Sequence, residues 1–144
     1  MISPGWFIAL LARCRPREDL GRKGEQLAAK YLASKGYRIL GHNLQSAAGE
    51  ADLLCEDPRT DGIVLVEVKS RRRPTLERGR FEPEQAVGLE KQARLLRIAR
   101  ALRRANGWNT RPIRIDIIAV DFGRRGSDPV IRHHVNAVSA RPRN

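Results

Sequence analysis

Gly49-Glu50-Ala51-Asp52-Leu53-Leu54 and, one short loop later, Val64-Leu65-Val66-Glu67-Val68-Lys69 decide the fold of this chain. Both read as strands. The intervening Asp57-Pro58-Arg59-Thr60-Asp61-Gly62 has the composition of a hairpin-type loop. The second strand, Ile63 to Lys69, is apolar on both faces apart from its charges, the pattern of a central strand. Yet three carboxylates (Glu50, Asp52, Glu67) and Lys69 interrupt what should be the apolar middle of a sheet. Charges there are costly unless they are paired or hold a metal.

Working outward, residues 22 to 35 form a helical pattern with Leu27, Ala28, Tyr31 and Leu32 on one face, and Gly36 is a natural stop. Tyr37 to Leu44 reads as a strand and Ala47-Ala48-Gly49 as a turn into the strand Glu50 to Cys55. After Lys69, Ser70 to Arg80 is rich in arginine and reads as a loop. Pro83 can open a second helix running to about Ala105, with Gly107 ending it. Leu95, Ile98, Ala99 and Leu102 line its inner face, while Arg97, Arg100 and Arg104 point the other way. Ile113 to Val120 and Val130 to Val138 complete the set as strands. The order is α-β-β-β-α-β with a further β, an α/β domain over residues 20–138 between an N-terminal extension (1–19) and a short tail (139–144).

The chain has 144 residues, enough for one domain with its own core. Lys and Arg number 28 against 16 Asp and Glu, a formal net charge of +12. Such an excess points to a polyanionic partner, most often nucleic acid. Cys14, Cys55, His42, His133 and His134 match no zinc spacing, and Cys55, after an apolar strand, reads as a buried thiol. The apolar run Trp6 to Ala12 is too short to span a bilayer and lacks a basic region before it. A cytoplasmic protein away from the membrane is the expectation.

Side chains at i and i+2 on a strand share a face, with backbones about 6.5–7 Å apart. Glu50 and Asp52 therefore share one face, as do Glu67 and Lys69. If the two strands are neighbours, three carboxylates can converge beside an ammonium. Mg²⁺ or Mn²⁺ takes a few carboxylates and fills its remaining positions with water or phosphate oxygens. A phosphodiester-cleaving site needs that donor set, with Lys69 placed to stabilise developing charge. Glu25, at the edge of the first helix's buried face, could complete the site, or could simply favour the helix dipole from the first turn. The competing reading of the strand residues is a structural Glu–Lys pair with solvent-facing acids at a strand end.

These residues stand in a recognisable order. Gly21, Gly24 and Glu25 lie on a helix, followed by Gly36-Tyr37 and Asn43. Then come Gly49-Glu50-Ala51-Asp52-Leu53 and Val66-Glu67-Val68-Lys69-Ser70-Arg71, and finally Ala86-Val87, Lys91 and Arg114-Ile115-Asp116-Ile117-Ile118. The set resembles the YraN-like family of bacterial proteins, within the PD-(D/E)xK nuclease superfamily, which also holds the archaeal Holliday-junction resolvases. The resemblance spans about residues 20 to 138. It implies a restriction-endonuclease-like αβββαβ core, with a central mixed sheet flanked by helices. It also implies Mg²⁺- or Mn²⁺-dependent hydrolysis of phosphodiesters in DNA, selective for structure rather than sequence. By the same resemblance Asp52 and Glu67 match the metal-binding acids, Lys69 the catalytic lysine and Glu25 the helix glutamate. Glu50 is an added acid of the Gly-Glu-x-Asp pattern. Ser70 stands where threonine is common and Ile115 where phenylalanine is, and neither touches a proposed ligand.

Arg71, Arg72 and Arg73 follow the catalytic strand directly and, with Lys91, suit phosphate binding. The Arg97-Arg100-Arg104 stripe reads equally as a second basic surface or a solvated helix face. Trp108 could stack on a base or serve the core. Nothing reads as recognition of base sequence. A homodimer would suit cutting of two strands, but no interface is legible. A non-catalytic nucleic-acid-binding protein that keeps the fold is the alternative to a nuclease.

Overall fold

The structure, a computed structural model, describes residues 19–73 and 87–138. The expectations placed on the N-terminal extension, on Pro83 and on the tail lie outside these residues. So does the part of the arginine loop from 74 onward.

Helix α1 (Asp19–Ser34) is followed by strands β1 (Arg38–Ser46), β2 (Gly49–Glu56) and β3 (Ile63–Arg72). Helix α2 (Leu89–Ala105) and strands β4 (Ile113–Phe122) and β5 (Val130–Val138) complete the described residues. The strands form one sheet in the order β1-β2-β3-β4-β5. β3 and β4 run parallel and every other neighbouring pair is antiparallel, so the sheet is mixed and β3 is its middle strand. The doubly apolar pattern of β3 has this cause: its alternate side chains feed two different cores.

On one face Ile63 and Leu65 of β3 pack with Leu54, Ile115, Ile117 and the α2 residues Leu95, Ile98, Ala99 and Leu102. Trp108 is buried in that same cluster, which makes it a core residue, with the Arg111 guanidinium 5.7 Å from its ring centroid. On the other face Val64, Val66 and Val68 meet Ala28 and Leu32 of α1, together with Leu53, Cys55, Ile118 and Val120. Cys55 is a free, buried thiol, and burial pushes its pKa up to about 12, which leaves it inert.

Two motif glycines have steric reasons. A β-carbon on Gly24 would stand 1.7 Å from Ser70 Oγ, so glycine lets α1 lie directly on the end of β3. Gly36 adopts φ +88°, the left-handed turn that ends α1. β3 runs to Arg72, beyond the expected end at Lys69, because its parallel pairing with β4 continues through Arg71↔Asp121 and Arg72↔Phe122. Tertiary pairing here overrides the loop-like composition of the arginine run. Among the described residues no helix is long and apolar enough to cross a membrane.

Candidate functional site

The β2–β3 ladder ends at Leu53↔Val66. One step further the antiparallel register sets Asp52 beside Glu67. There a side chain replaces the backbone: the Val68 N–H donates to Asp52 Oδ2 at 2.7 Å. Asp52 is thereby fixed at the point where the two strands part. Glu67 shares its face of β3 with Ile63 and Leu65, so it projects to the α2 side of the sheet. Asp52 and Glu67 are 6% and 8% exposed, which makes them two buried carboxylates on adjacent strands.

Lys91, in the first turn of α2, closes on this pair from above the sheet. Its Nζ lies 3.1 Å from Glu67 Oε1. Glu67 Oε2 is buried with no hydrogen-bond partner. Burial, and after it the charge of Asp52, raise the Glu67 pKa to about 7, and Lys91 offsets only part of the effect. Two carboxylates buried side by side each raise the cost of the other's charge. That is a poor arrangement for stability and a suitable one for a divalent cation.

Lys69, two residues beyond Glu67, is exposed at the same end of β3. Glu50 is half-buried and faces β1, where Gln45 Nε2 donates to its Oε1 at 3.2 Å. Glu25 is half-buried on α1, next to the Gly24–Ser70 contact and on the opposite face of the sheet from α2. Among the described residues no three His, Cys, Asp or Glu side chains are gathered closely enough to hold a metal. The structure thus brings Asp52 and Glu67 together and sets Glu50 and Glu25 at the margins. Of the arginines, Arg72 is exposed and Arg71 half-buried. Arg73 turns back to the sheet, with Nε 3.7 Å from Asp121 Oδ1, while Arg132 also pairs with Asp121. The Lys91 ammonium is held by Glu67.

The pKa of Glu67 has a consequence for stability. An unfolded glutamate titrates near 4.5, so between that value and about 7 the folded chain holds a proton that the unfolded chain has released. The contribution is fully present below the unfolded value and is lost as pH rises through the folded one. Glu67→Gln removes the penalty and leaves an amide donor beside Asp52. At about pH 8 it raises stability by about 2 kcal/mol, roughly 5 °C in Tm. Near pH 4.5 the gain vanishes. Thermal melts of both proteins across this range check it: a variant no more stable than wild type at about pH 8 would contradict it.

A second cluster, on the opposite, α1 face of the sheet, was missed in the sequence: Asp116 pairs in register with Val66, the neighbour of Glu67. Asp116, fully buried, accepts from Arg114 Nε at 3.0 Å and Nη2 at 3.1 Å, and from the Asn136 N–H at 2.8 Å. His133 Nε2 lies 2.8 Å from Asp116 Oδ2. Arg114 also donates to Asp57 Oδ2 at 2.5 Å and to the Tyr37 hydroxyl at 3.0 Å. The signal was present as Arg114 and Asp116, opposite charges at i and i+2 on an otherwise apolar strand.

A family model described as uncharacterised protein family UPF0102 matches residues 24–120. The chain belongs to family UPF0102. The resemblance to YraN-like proteins noted in the sequence is to this same family. A UPF0102 protein of Anaeromyxobacter dehalogenans is 40% identical over 117 residues, 81% of each chain. One of Streptomyces griseus is 42% identical over 118 residues, 81% of this chain and 93% of its own. One of Trichlorobacter lovleyi is 42% identical over 120 residues, 83% of this chain and 90% of its own. Among solved structures, a repair endonuclease from Pyrococcus abyssi aligns with TM-score 0.44 and 14% identity, over 80% of this chain and 42% of that one. The UPF0102 match takes in Asp52, Glu67, Lys91, Arg114 and Asp116, while His133 and Asn136 lie beyond it.

Proposed function

We propose that this UPF0102 chain is a metal-dependent endonuclease that hydrolyses phosphodiesters in DNA and selects structure rather than sequence. The observation that carries the proposal is the meeting of Asp52 and Glu67 where β2 and β3 part, buried in a chain of net charge +12. The donor set suits Mg²⁺ or Mn²⁺: Glu67 keeps an unpartnered buried oxygen, and Mg²⁺ usually takes one or two carboxylates with water completing its shell. Asp52 and Glu67 would hold the ion, with Glu50 and Glu25 as outlying acids. When bound, such an ion lowers the pKa of water and neutralises charge on the phosphoryl oxygens.

The chain's own residues divide the remaining work. Lys69, exposed beside the pair, stabilises charge that develops at phosphorus. Arg71 and Arg72 lie just beyond it on β3 and hold flanking phosphates, an attraction that ignores base sequence. The arginines Arg97, Arg100 and Arg104 are exposed on α2 and extend the basic surface. One observation favours the second reading, a non-catalytic nucleic-acid-binding protein: Lys91 already neutralises Glu67 and, among the described residues, no third ligand is gathered. The two readings separate in one assay. Duplex, single-stranded, flap and four-way-junction DNA are incubated with the protein in Mg²⁺ or Mn²⁺ and again with chelator. Metal-dependent cleavage of a branched or single-stranded substrate supports the nuclease. Binding without cleavage of any substrate supports the second reading.

A further inference from the structure

We propose that Lys91 is the resident counter-cation of the Asp52–Glu67 site, holding it closed until a divalent ion displaces the ammonium from Glu67. The inference rests on reading that pair as a metal site. It begins with where the lysine stands. Lys91 lies in the first turn of α2, which starts at Leu89. The helix dipole disfavours a positive charge there, so the position is not one that helix formation selects. What it offers instead is reach: α2 packs over the face of β3 that carries Ile63, Leu65 and Glu67. Its N-terminus is thereby brought above the acids.

The contact is one-sided. Lys91 engages Glu67 Oε1 at 3.1 Å and leaves Oε2 buried without a partner. A divalent ion would engage the oxygen that Lys91 leaves without a hydrogen-bond partner. The mobilities also differ. The Glu67 side chain is 11% exposed and the Lys91 side chain 34% exposed. The acid is fixed by the sheet while the lysine can swing into water on its flexible stem at little cost. Lys91 and a metal ion therefore compete for the same oxygens. Once released, the ammonium stands at the rim of the site to meet a phosphate oxygen.

The test is Mn²⁺ affinity, read by the loss of the free-ion electron paramagnetic resonance signal, on the full chain without nucleic acid. It is run at one fixed pH for all variants. Lys91→Met tightens Mn²⁺ binding roughly tenfold, the size of one charge-assisted hydrogen bond given up to the ion. Lys91→Arg, which keeps the charge, stays close to wild type. Lys30→Gln, which removes an exposed charge from α1, shifts affinity by no more than about twofold, the screened effect of a surface charge. Asp52→Asn abolishes binding at the site. If Lys91→Met binds Mn²⁺ as weakly as wild type, or more weakly, while Asp52→Asn abolishes binding, the role of Lys91 is overturned and the metal site stands. If Mn²⁺ binds to none of the proteins, the metal site itself is overturned.

Discussion

Asp52→Asn and Lys69→Met each reduce metal-dependent DNA cleavage by about a thousandfold or more, while DNA affinity stays within roughly threefold of wild type. Both substitutions are chosen so that folding does not confuse the result. Asparagine keeps an oxygen for the Val68 N–H, which reaches Asp52 at 2.7 Å. Only the charge that would hold a metal is removed. Lys69 is exposed, so its replacement leaves the core untouched and changes stability by no more than about 0.5 kcal/mol. Affinity survives because binding of the flanking phosphates is assigned to other residues. Replacing Arg71 and Arg72 should do the reverse: binding weakens across all sequences and its salt dependence flattens by about one unit for each phosphate left without its arginine. Single-turnover cleavage and fluorescence anisotropy on the same branched DNA measure the two quantities. Cleavage by Lys69→Met at the wild-type rate would remove Lys69 from the mechanism.

Asp116→Ala costs about 3–5 kcal/mol, enough to leave a domain of this size marginally folded. The Asp116 carboxylate is fully buried and gathers Arg114, His133 and the Asn136 N–H. Removing it strands the Arg114 guanidinium, whose remaining partners are Asp57 and Tyr37. Burial alone would raise the Asp116 pKa, but His133, Arg114 and the backbone N–H outweigh it and hold the group below its ordinary value of 3.8. A depressed carboxylate contributes stability above its unfolded pKa and loses it as pH falls through the folded one. The wild type should therefore weaken in acid below about pH 4, and Asp116→Ala should show less of that dependence. Urea unfolding at several pH values measures both. A destabilisation of under about 1 kcal/mol would mean that the network is peripheral. Pairing Arg114→Met with Asp116→Ala should cost less than the sum of the single changes, because no charge is left buried alone.

The two clusters explain why the motif residues of this family look alike in sequence and differ in role. Arg114 and Asp116 brace the α1 face of the sheet, and Gly24 and Gly36 fit α1 to it. Asp52, Glu67 and Lys69 stand on the α2 face, where β2 and β3 separate. The strands were legible as apolar runs bounded by turn residues such as Gly36, Ala47-Ala48-Gly49 and Asp57 to Gly62. The two apolar faces of β3 placed it at the centre of the sheet before any pairing was known. The end of β3 was not legible, since an arginine run has loop composition and only the parallel pairing with β4 holds it extended.

At the site, spacing identified Asp52 and Glu67 as candidates, and the β2–β3 register brought them together. Spacing also put Glu50 on the face of Asp52, but could not show that Gln45 across β1 would engage it. The Lys91–Glu67 contact joins a helix to a strand 24 positions earlier, and no local pattern encodes it. The same is true of His133 and Asn136. They reach Asp116 through a shift in the β4–β5 register between Ile115 and Ile117, with Asn136 at φ 53°. A bulge of that kind turns a backbone N–H out of the ladder and toward a side chain.

The central claim is that Asp52 and Glu67 hold a divalent cation. Diffraction from crystals soaked in Mn²⁺, with data collected near the manganese absorption edge, tests it directly. The predicted result is an anomalous peak between the two carboxylates, with the Lys91 ammonium withdrawn from Glu67. No peak at saturating Mn²⁺, with Lys91 still seated on Glu67, would contradict it.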